Sequence, residues 1–144
     1  MIVALFGQPH SGKTTIAKEL GIAFNIDGDK LRELFANKDY SRDGRIKNLN
    51  RASDIAHYIN SMHLDVTLSL VYPYKEARDY LNSLTDDVKW IYLTYDGDRG
   101  REKFHVQDFD IPVDENVLSI NTSTTSLEET ISLINNYINA ENPS

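Results

Sequence analysis

Residues 7–15 read GQPHSGKTT, straight after the apolar run IVALF at 2–6. A continuous apolar run suits a strand buried on both faces. The nine residues after it form a turn that can hardly pack, with two glycines, a proline, a lysine and three hydroxyls. Gly7-x-x-x-x-Gly12-Lys13-Thr14 fits the phosphate-binding P-loop without a mismatch. The glycines let successive backbone N–H groups turn inward. With the positive end of a helix starting near Lys13, those groups cradle a β-phosphate. The Lys13 ammonium reaches the β- and γ-phosphates, and the Thr14 hydroxyl ligates Mg²⁺. The turn packs poorly because it leaves room for a nucleotide. The nucleotide-binding set is therefore Gly7, Pro9, His10, Ser11, Gly12, Lys13, Thr14 and Thr15, with ATP and Mg²⁺ as cofactors. His10 reads as a tolerated variable position.

Outward from this turn, short β-rich runs alternate with helical patterns. Strands are expected at Ile2–Phe6, Ala23–Ile26, Val66–Val71, Trp90–Thr94 and Val117–Ile120. Helices are expected at Lys13–Leu20, Lys30–Ala36, Ser41–His63, Lys75–Ser83 and Ser126–Ile138, the last opened by the capping box Ser126-Leu127-Glu128-Glu129. Such alternation argues for an α/β fold in which a five-stranded parallel sheet lies between two helical layers. With a P-loop at its first turn, this is the P-loop NTPase arrangement. The 144 residues suffice for one domain with one substantial core. Residues 96–116 form the one long irregular stretch, polar and charged, which reads as a lid or substrate loop.

Composition narrows the function. The net charge is −7, which speaks against a duplex nucleic-acid binder and against an anionic membrane surface. A small-molecule partner fits better. There are no cysteines, so disulfides and thiolate chemistry are excluded and a cytosolic compartment is expected. His57, His63 and His105 lack metal-ligand spacing. Trp90 reads as core. The polar loop Thr122–Thr125 should lie near the adenine of a bound nucleotide.

The second strand ends in Asp27-Gly28-Asp29. In open parallel sheets, ligands sit at the carboxyl ends of strands. A carboxylate there can take a proton from an attacking hydroxyl or hold Mg²⁺ through water. The plainer alternative is a turn in which Asp29 caps the following helix. The third strand ends in Tyr-Pro-Tyr rather than a Walker B aspartate, which suits a small-molecule kinase better than a switch GTPase.

The helix over 41–63 carries a sharper signal. Advancing about 100° per residue from Ile46, the residues Leu49, Ala52, Ile55, Ala56, Ile59 and Met62 fall between about 160° and 300°, a core-facing stripe. Arg45 and Asn48 fall inside it and Arg51 on its edge. A buried arginine needs an anion or a carboxylate facing it. Either the helix lines a cleft with an Arg/Asn clamp for an anionic second substrate, or internal carboxylates or surface-reaching stems account for these residues.

The combination of Gly7–Thr15, Asp27-Gly28-Asp29-x-x-Arg32, Tyr40-Ser41-x-x-x-Arg45-x-x-Asn48-x-x-Arg51 and Pro73-Tyr74-x-x-x-Arg78 resembles the adenylylsulfate kinase family over roughly residues 2–80. The resemblance implies phosphorylation of the 3′-hydroxyl of adenosine 5′-phosphosulfate by ATP. It implies catalytic roles for Asp27, Lys13 and Asp29, with Thr14 and Asp27 at the metal. Asp29, Arg32, Arg45, Asn48 and Arg51 would hold the second nucleotide, Tyr40 would stack on its base, and Val71 and Tyr72 would line the acceptor side. Lys103 would contact phosphate beside Phe104, in a shortened remnant of the family's lid to which Arg99 and Arg101 could add charge. Family members often pair, so a homodimer is the assembly implied. Where the family usually carries a serine before Pro-Tyr, this chain has Tyr72. A phosphoserine route is thereby closed, and direct transfer is the natural reading. A kinase of another small hydroxyl acceptor, and a non-catalytic nucleotide-binding module, are the competing readings.

Overall fold

A computed structural model describes residues 1–9, 11–96 and 106–140. Its elements run β1 (Ile2–Phe6), α1 (Lys13–Leu20), β2 (Phe24–Asp27), α2 (Gly28–Leu34), α3 (Arg42–Ser61), β3 (Val66–Ser69), α4 (Lys75–Leu84), β4 (Val88–Thr94), β5 (Val117–Asn121) and α5 (Leu127–Asn139). The five strands form one sheet in the order β2-β3-β1-β4-β5, and every neighbouring pair is parallel. All strands therefore deliver their carboxyl ends to one edge, where the glycine turn lies.

Side chains of β1 alternate between two cores. Ile2, Ala4 and Phe6 face Leu49, Ala52 and Ala56 of α3 and Ala77 and Leu81 of α4. Val3 and Leu5 face Ile16 and Ala17 of α1 and Ile134 of α5. This is the expected three-layer α/β/α fold. Both faces of β1 are covered, which is why its five residues can all be apolar and fully buried. Trp90 is core, as expected, with its ring edge-on to Phe6 and Tyr72.

Several boundaries move for local reasons. Helix α2 starts at Gly28, because Asp27 rather than Asp29 is its N-cap and accepts the Asp29 N–H at 2.9 Å. It ends before Ala36, whose φ is +51°. Strand β3 stops at Ser69, opposite Asp27 of β2, because the Val71 carbonyl is turned to accept the Gly7 N–H at 3.2 Å. On α3, Leu49, Ala52 and Ala56 are buried and Ile46, Ile55 and Ile59 partly so. Met62 corrects the expected stripe: it lies beyond the last helical turn and is 46% exposed.

Residues 106–116 are packed down rather than free. Phe109 lies on Tyr92. The Asp110 carboxylate accepts the Lys75 N–H and so caps α4, whose own N-cap residue Tyr74 offers no side-chain bond. Arg78, fully buried, donates to Glu115, to the Tyr72 carbonyl and to the Asp110 carbonyl at 2.7–3.0 Å. Among the described residues no helix is long and apolar enough to cross a membrane.

Candidate functional site

The turn between β1 and α1 owes its path to two glycines. At Gly7, φ is +146°, and a Cβ would meet the Leu93 carbonyl oxygen at 2.1 Å. At Gly12, φ is +98°, and this residue is the N-cap of α1. Ser11 is buried, Pro9 half-buried, and Thr14 and Thr15 are exposed on the first turn of α1. The Thr122 hydroxyl lies 3.1 Å from the Ser11 carbonyl and 2.8 Å from that of Thr94, which ties the loop after β5 to the turn.

Lys13 folds back over the turn. Its Nζ donates to the Gly7 carbonyl at 2.9 Å, the Gln8 carbonyl at 3.0 Å and Ser11 Oγ at 3.4 Å. Burial pushes the ammonium down to about 8, against the raising influence of the nearby Asp27 and Asp29 charges. Those two carboxylates thus sit within electrostatic reach of the lysine. Below pH 8 the cation is present and can meet phosphate oxygens; above it, the phosphate-free protein loses the proton that an anion needs. Nucleotide affinity should therefore fall about tenfold per pH unit above 8, a slope that titration calorimetry at pH 7 to 9.5 checks. The unfolded chain, with an ordinary lysine, holds its proton to higher pH. Between these values this group makes the phosphate-free fold more stable as pH rises, so the affinity loss is separable from unfolding.

The second half of the site is built on α3. Ser41 caps it by accepting the Gly44 N–H. Gly44 is buried, and a Cβ there would meet the Asp39 carbonyl oxygen at 2.3 Å. That close approach fixes the Asn37–Tyr40 loop. Within it Arg32 donates to the Asn37 and Asp39 carbonyls and lies 4.1 Å over the Tyr40 ring, which is 63% exposed. Arg51 lies over Phe35. Arg45 Nη1 meets the Tyr74 hydroxyl at 3.4 Å. Asn48 is buried. Its Nδ2 lies 3.5 Å from the Gly28 carbonyl, between the two aspartates, and its Oδ1 has no partner. Of the described arginines, Arg42 and Arg78 are ion-paired, whereas Arg32, Arg45 and Arg51 make no ion pair among the described residues.

The structure therefore places Asp27 and Asp29 at the carboxyl end of β2 within electrostatic reach of Lys13, with Asn48 against Gly28 and Arg45 at Tyr74; Arg32 packs on Tyr40 and Arg51 on Phe35 in the adjoining α2–α3 segment. Tyr72 is a correction. With φ at +44°, its side chain turns inward, is fully buried, and shares a 3.0 Å hydrogen bond with Ser53. It cannot line an acceptor pocket. Val71 serves through its carbonyl, which holds Gly7. His10, Arg99, Arg101, Lys103, Phe104 and His105 lie outside the described residues.

Sequence reasoning missed Gln8. Its side-chain amide pairs with both polar groups of the Val106 backbone, each at 2.9 Å. It also missed Asp108, which meets both Arg42 and the Tyr74 hydroxyl. No local spacing marks either residue, because their partners lie 34 to 98 residues away in sequence.

Magnesium can be weighed against the donor set. No cluster of three His, Asp or Glu residues able to hold a metal exists among the described residues. The exposed Thr14 hydroxyl, the Asp27 carboxylate and phosphate oxygens remain, which suits a hard cation that keeps most of its waters. The residues present thus fit a magnesium ion that arrives with the nucleotide.

Known proteins resemble this chain in sequence and in fold. A cytidine diphosphoramidate kinase of Campylobacter jejuni is 29% identical over 66% of this chain and 61% of its own length, so the chain spans about three fifths of that relative. An adenylyl-sulfate kinase of Pseudomonas entomophila is 25% identical over 94% of this chain and 78% of its own. The Mycobacterium tuberculosis APS kinase CysC, solved with AMPPNP and APS, superposes with a TM-score of 0.79 at 18% identity, covering 95% of this chain and 96% of that one. The family profile described as adenylylsulphate kinase matches residues 1–100. With the glycine turn, the Asp27–Asp29 pair and the arginine-bearing face of α3 all inside that span, the chain belongs to the adenylylsulphate kinase family.

Proposed function

We propose that this protein is a kinase that transfers the γ-phosphoryl group of ATP directly to the 3′-hydroxyl of adenosine 5′-phosphosulfate. One observation carries the reading. Arg32, Arg45 and Arg51 make no ion pair among the described residues, and Arg45 and Arg51 stand three residues either side of a buried Asn48 on α3 whose Oδ1 lacks a partner. Guanidiniums without an ion pair on the helix that carries an unsatisfied buried polar atom call for an anionic ligand. Asn48 stands beside the two aspartates and on the same sheet edge as the phosphate turn.

The roles rest on simple chemistry. Backbone N–H groups of the turn and Lys13 hold the transferring phosphate. Magnesium, held by Thr14 and Asp27 when bound, neutralises charge on the phosphate oxygens. Asp27 orients the acceptor hydroxyl and takes its proton. The guanidiniums fix the 5′ anion, and the exposed face of Tyr40 offers a stacking surface to the base. Buried Tyr72, where a family serine would stand, leaves direct transfer as the route.

The same clamp would take other nucleotides with a 5′ anionic tail, and the Campylobacter relative, a cytidine diphosphoramidate kinase, makes that reading worth separating. Incubation with Mg-ATP and a panel of 5′-substituted nucleotides, with products resolved by mass, distinguishes them. The proposal expects clear preference for the sulfated adenosine nucleotide; preference for another member transfers the activity to that class. Arg45→Ala should raise KM for the preferred acceptor about 10- to 100-fold, the cost of one charge-assisted hydrogen bond, with nucleotide affinity unchanged. Unaltered acceptor kinetics would reject the clamp.

A further inference from the structure

Arg45 reaches from α3 to a single group on another element. Its Nη1 donates to the Tyr74 hydroxyl at 3.4 Å, the one hydrogen bond of its side chain among the described residues. Most of its N–H donors are therefore left for a ligand. Tyr74 is a rigid support. It is the N-cap of α4, and its carbonyl accepts the Ala77 and Arg78 N–H groups at 3.0 and 3.2 Å. It is buried, and Arg42 covers its ring at 4.0 Å. The hydroxyl's own proton goes to Asp108 Oδ1 at 3.4 Å. Asp108 stands in a segment pinned on both sides, by Gln8 at Val106 and by Asp110 at the Lys75 N–H.

From this geometry we infer that Tyr74 and Asp108 are positioning residues for the second substrate: they hold Arg45 in the direction from which it meets that substrate's anion. The inference rests on the clamp reading above. A phenol has one proton to give. With that proton turned to the Asp108 carboxylate, the phenol oxygen can only accept, and a guanidinium can only donate. The three groups therefore fit together in one order. A hydrogen bond to a charged acceptor also draws electron density onto the phenol oxygen, which makes it a better acceptor for the cation. The Asp108 charge reaches Arg45 only through the hydroxyl, so the arginine is steered without being neutralised by an ion pair. The gain is entropic. A free arginine side chain gives up rotamer freedom when it grips an anion, and one already held gives up less. The device is static and needs no second arrangement of the chain.

A double-mutant cycle tests this. It reads KM and kcat at saturating Mg-ATP for the acceptor preferred in the panel, which the proposal expects to be adenosine 5′-phosphosulfate. Tyr74→Phe keeps the ring and removes only the hydroxyl. It should raise the acceptor KM about 3- to 10-fold, the range for one hydrogen bond, with kcat and the KM for ATP within about twofold of native. Asp108→Ala should act in the same direction. In an Arg45→Ala background neither change should raise KM further, since nothing is left to position. A merely structural role would lower Tm and add to the effect of Arg45→Ala. An acceptor KM unchanged in Tyr74→Phe, or raised equally in both backgrounds, overturns the inference. Asp108 is exposed at the surface, so its cycle decides the matter should Tyr74→Phe fail to fold. Arg45→Ala separates this inference from the clamp reading. If that change alone leaves the acceptor KM at its native value, both fall; if it raises KM while Tyr74→Phe and Asp108→Ala do not, only the positioning falls.

Discussion

Asp27→Asn lowers kcat by about 10²- to 10⁴-fold, the range for loss of a positioned general base, with the fold retained and Mg-nucleotide affinity weakened. The reason for expecting the fold to survive is local. Asp27 does two jobs: its Oδ1 caps α2 by accepting the Asp29 N–H, and its charge acts on Lys13 at the turn. Asparagine caps a helix as well as aspartate does, so the first job survives the substitution, while the charge beside Lys13 and the carboxylate that would hold magnesium are lost with the basic oxygen. Single-turnover assays with saturating ATP and acceptor, beside thermal melts, measure both quantities. A variant that melts with the native protein yet keeps native kcat would show that Asp27 is a cap and nothing more. Asp27→Ala is the less informative change, since it costs the cap about 1 kcal/mol as well.

Arg78→Met should produce the largest loss of stability, about 3–5 kcal/mol, or roughly 10–20 °C in Tm for a chain of this size. The guanidinium is fully buried and its Nε lies 2.9 Å from Glu115, itself only 13% exposed. Removing the cation leaves that carboxylate and the Tyr72 and Asp110 carbonyls without their donor. Methionine fills much of the volume but satisfies none of them. Pairing the change with Glu115→Gln should recover part of the loss, because the stranded charge is then gone. Equal melting of Arg78→Met and native protein, followed by circular dichroism, would falsify the view that Arg78 holds the 108–115 segment down.

What could be read in the sequence tracks the range of the interaction involved. Helix α1 has the limits expected, since it is bounded by Gly12 and Gly21, both in left-handed conformations that glycine supplies cheaply. The inward set of α3 was legible from its period, and so were Arg45 and Asn48 within it. The period could not say what faces Arg45, because the Tyr74 hydroxyl comes from 29 residues away. Tyr72 was misplaced because side-chain direction after β3 depends on one positive φ, which no spacing encodes. Residues 106–116 carry no period at all. Their order comes from Gln8, Lys75 and Arg78, each a distant partner.

The chain has one tryptophan, and its position makes it a built-in optical gauge. Trp90 is 5% exposed, with its indole N–H bonded to Asn82 and its ring against Phe6 and Tyr72, one residue before Gly7 and one after Val71. Its emission therefore reports on the layer that carries both the β1 and β3 exits of the site. Unlabelled protein can be followed through unfolding by that single fluorophore, and a red shift marks the moment the floor beneath the phosphate turn opens to water.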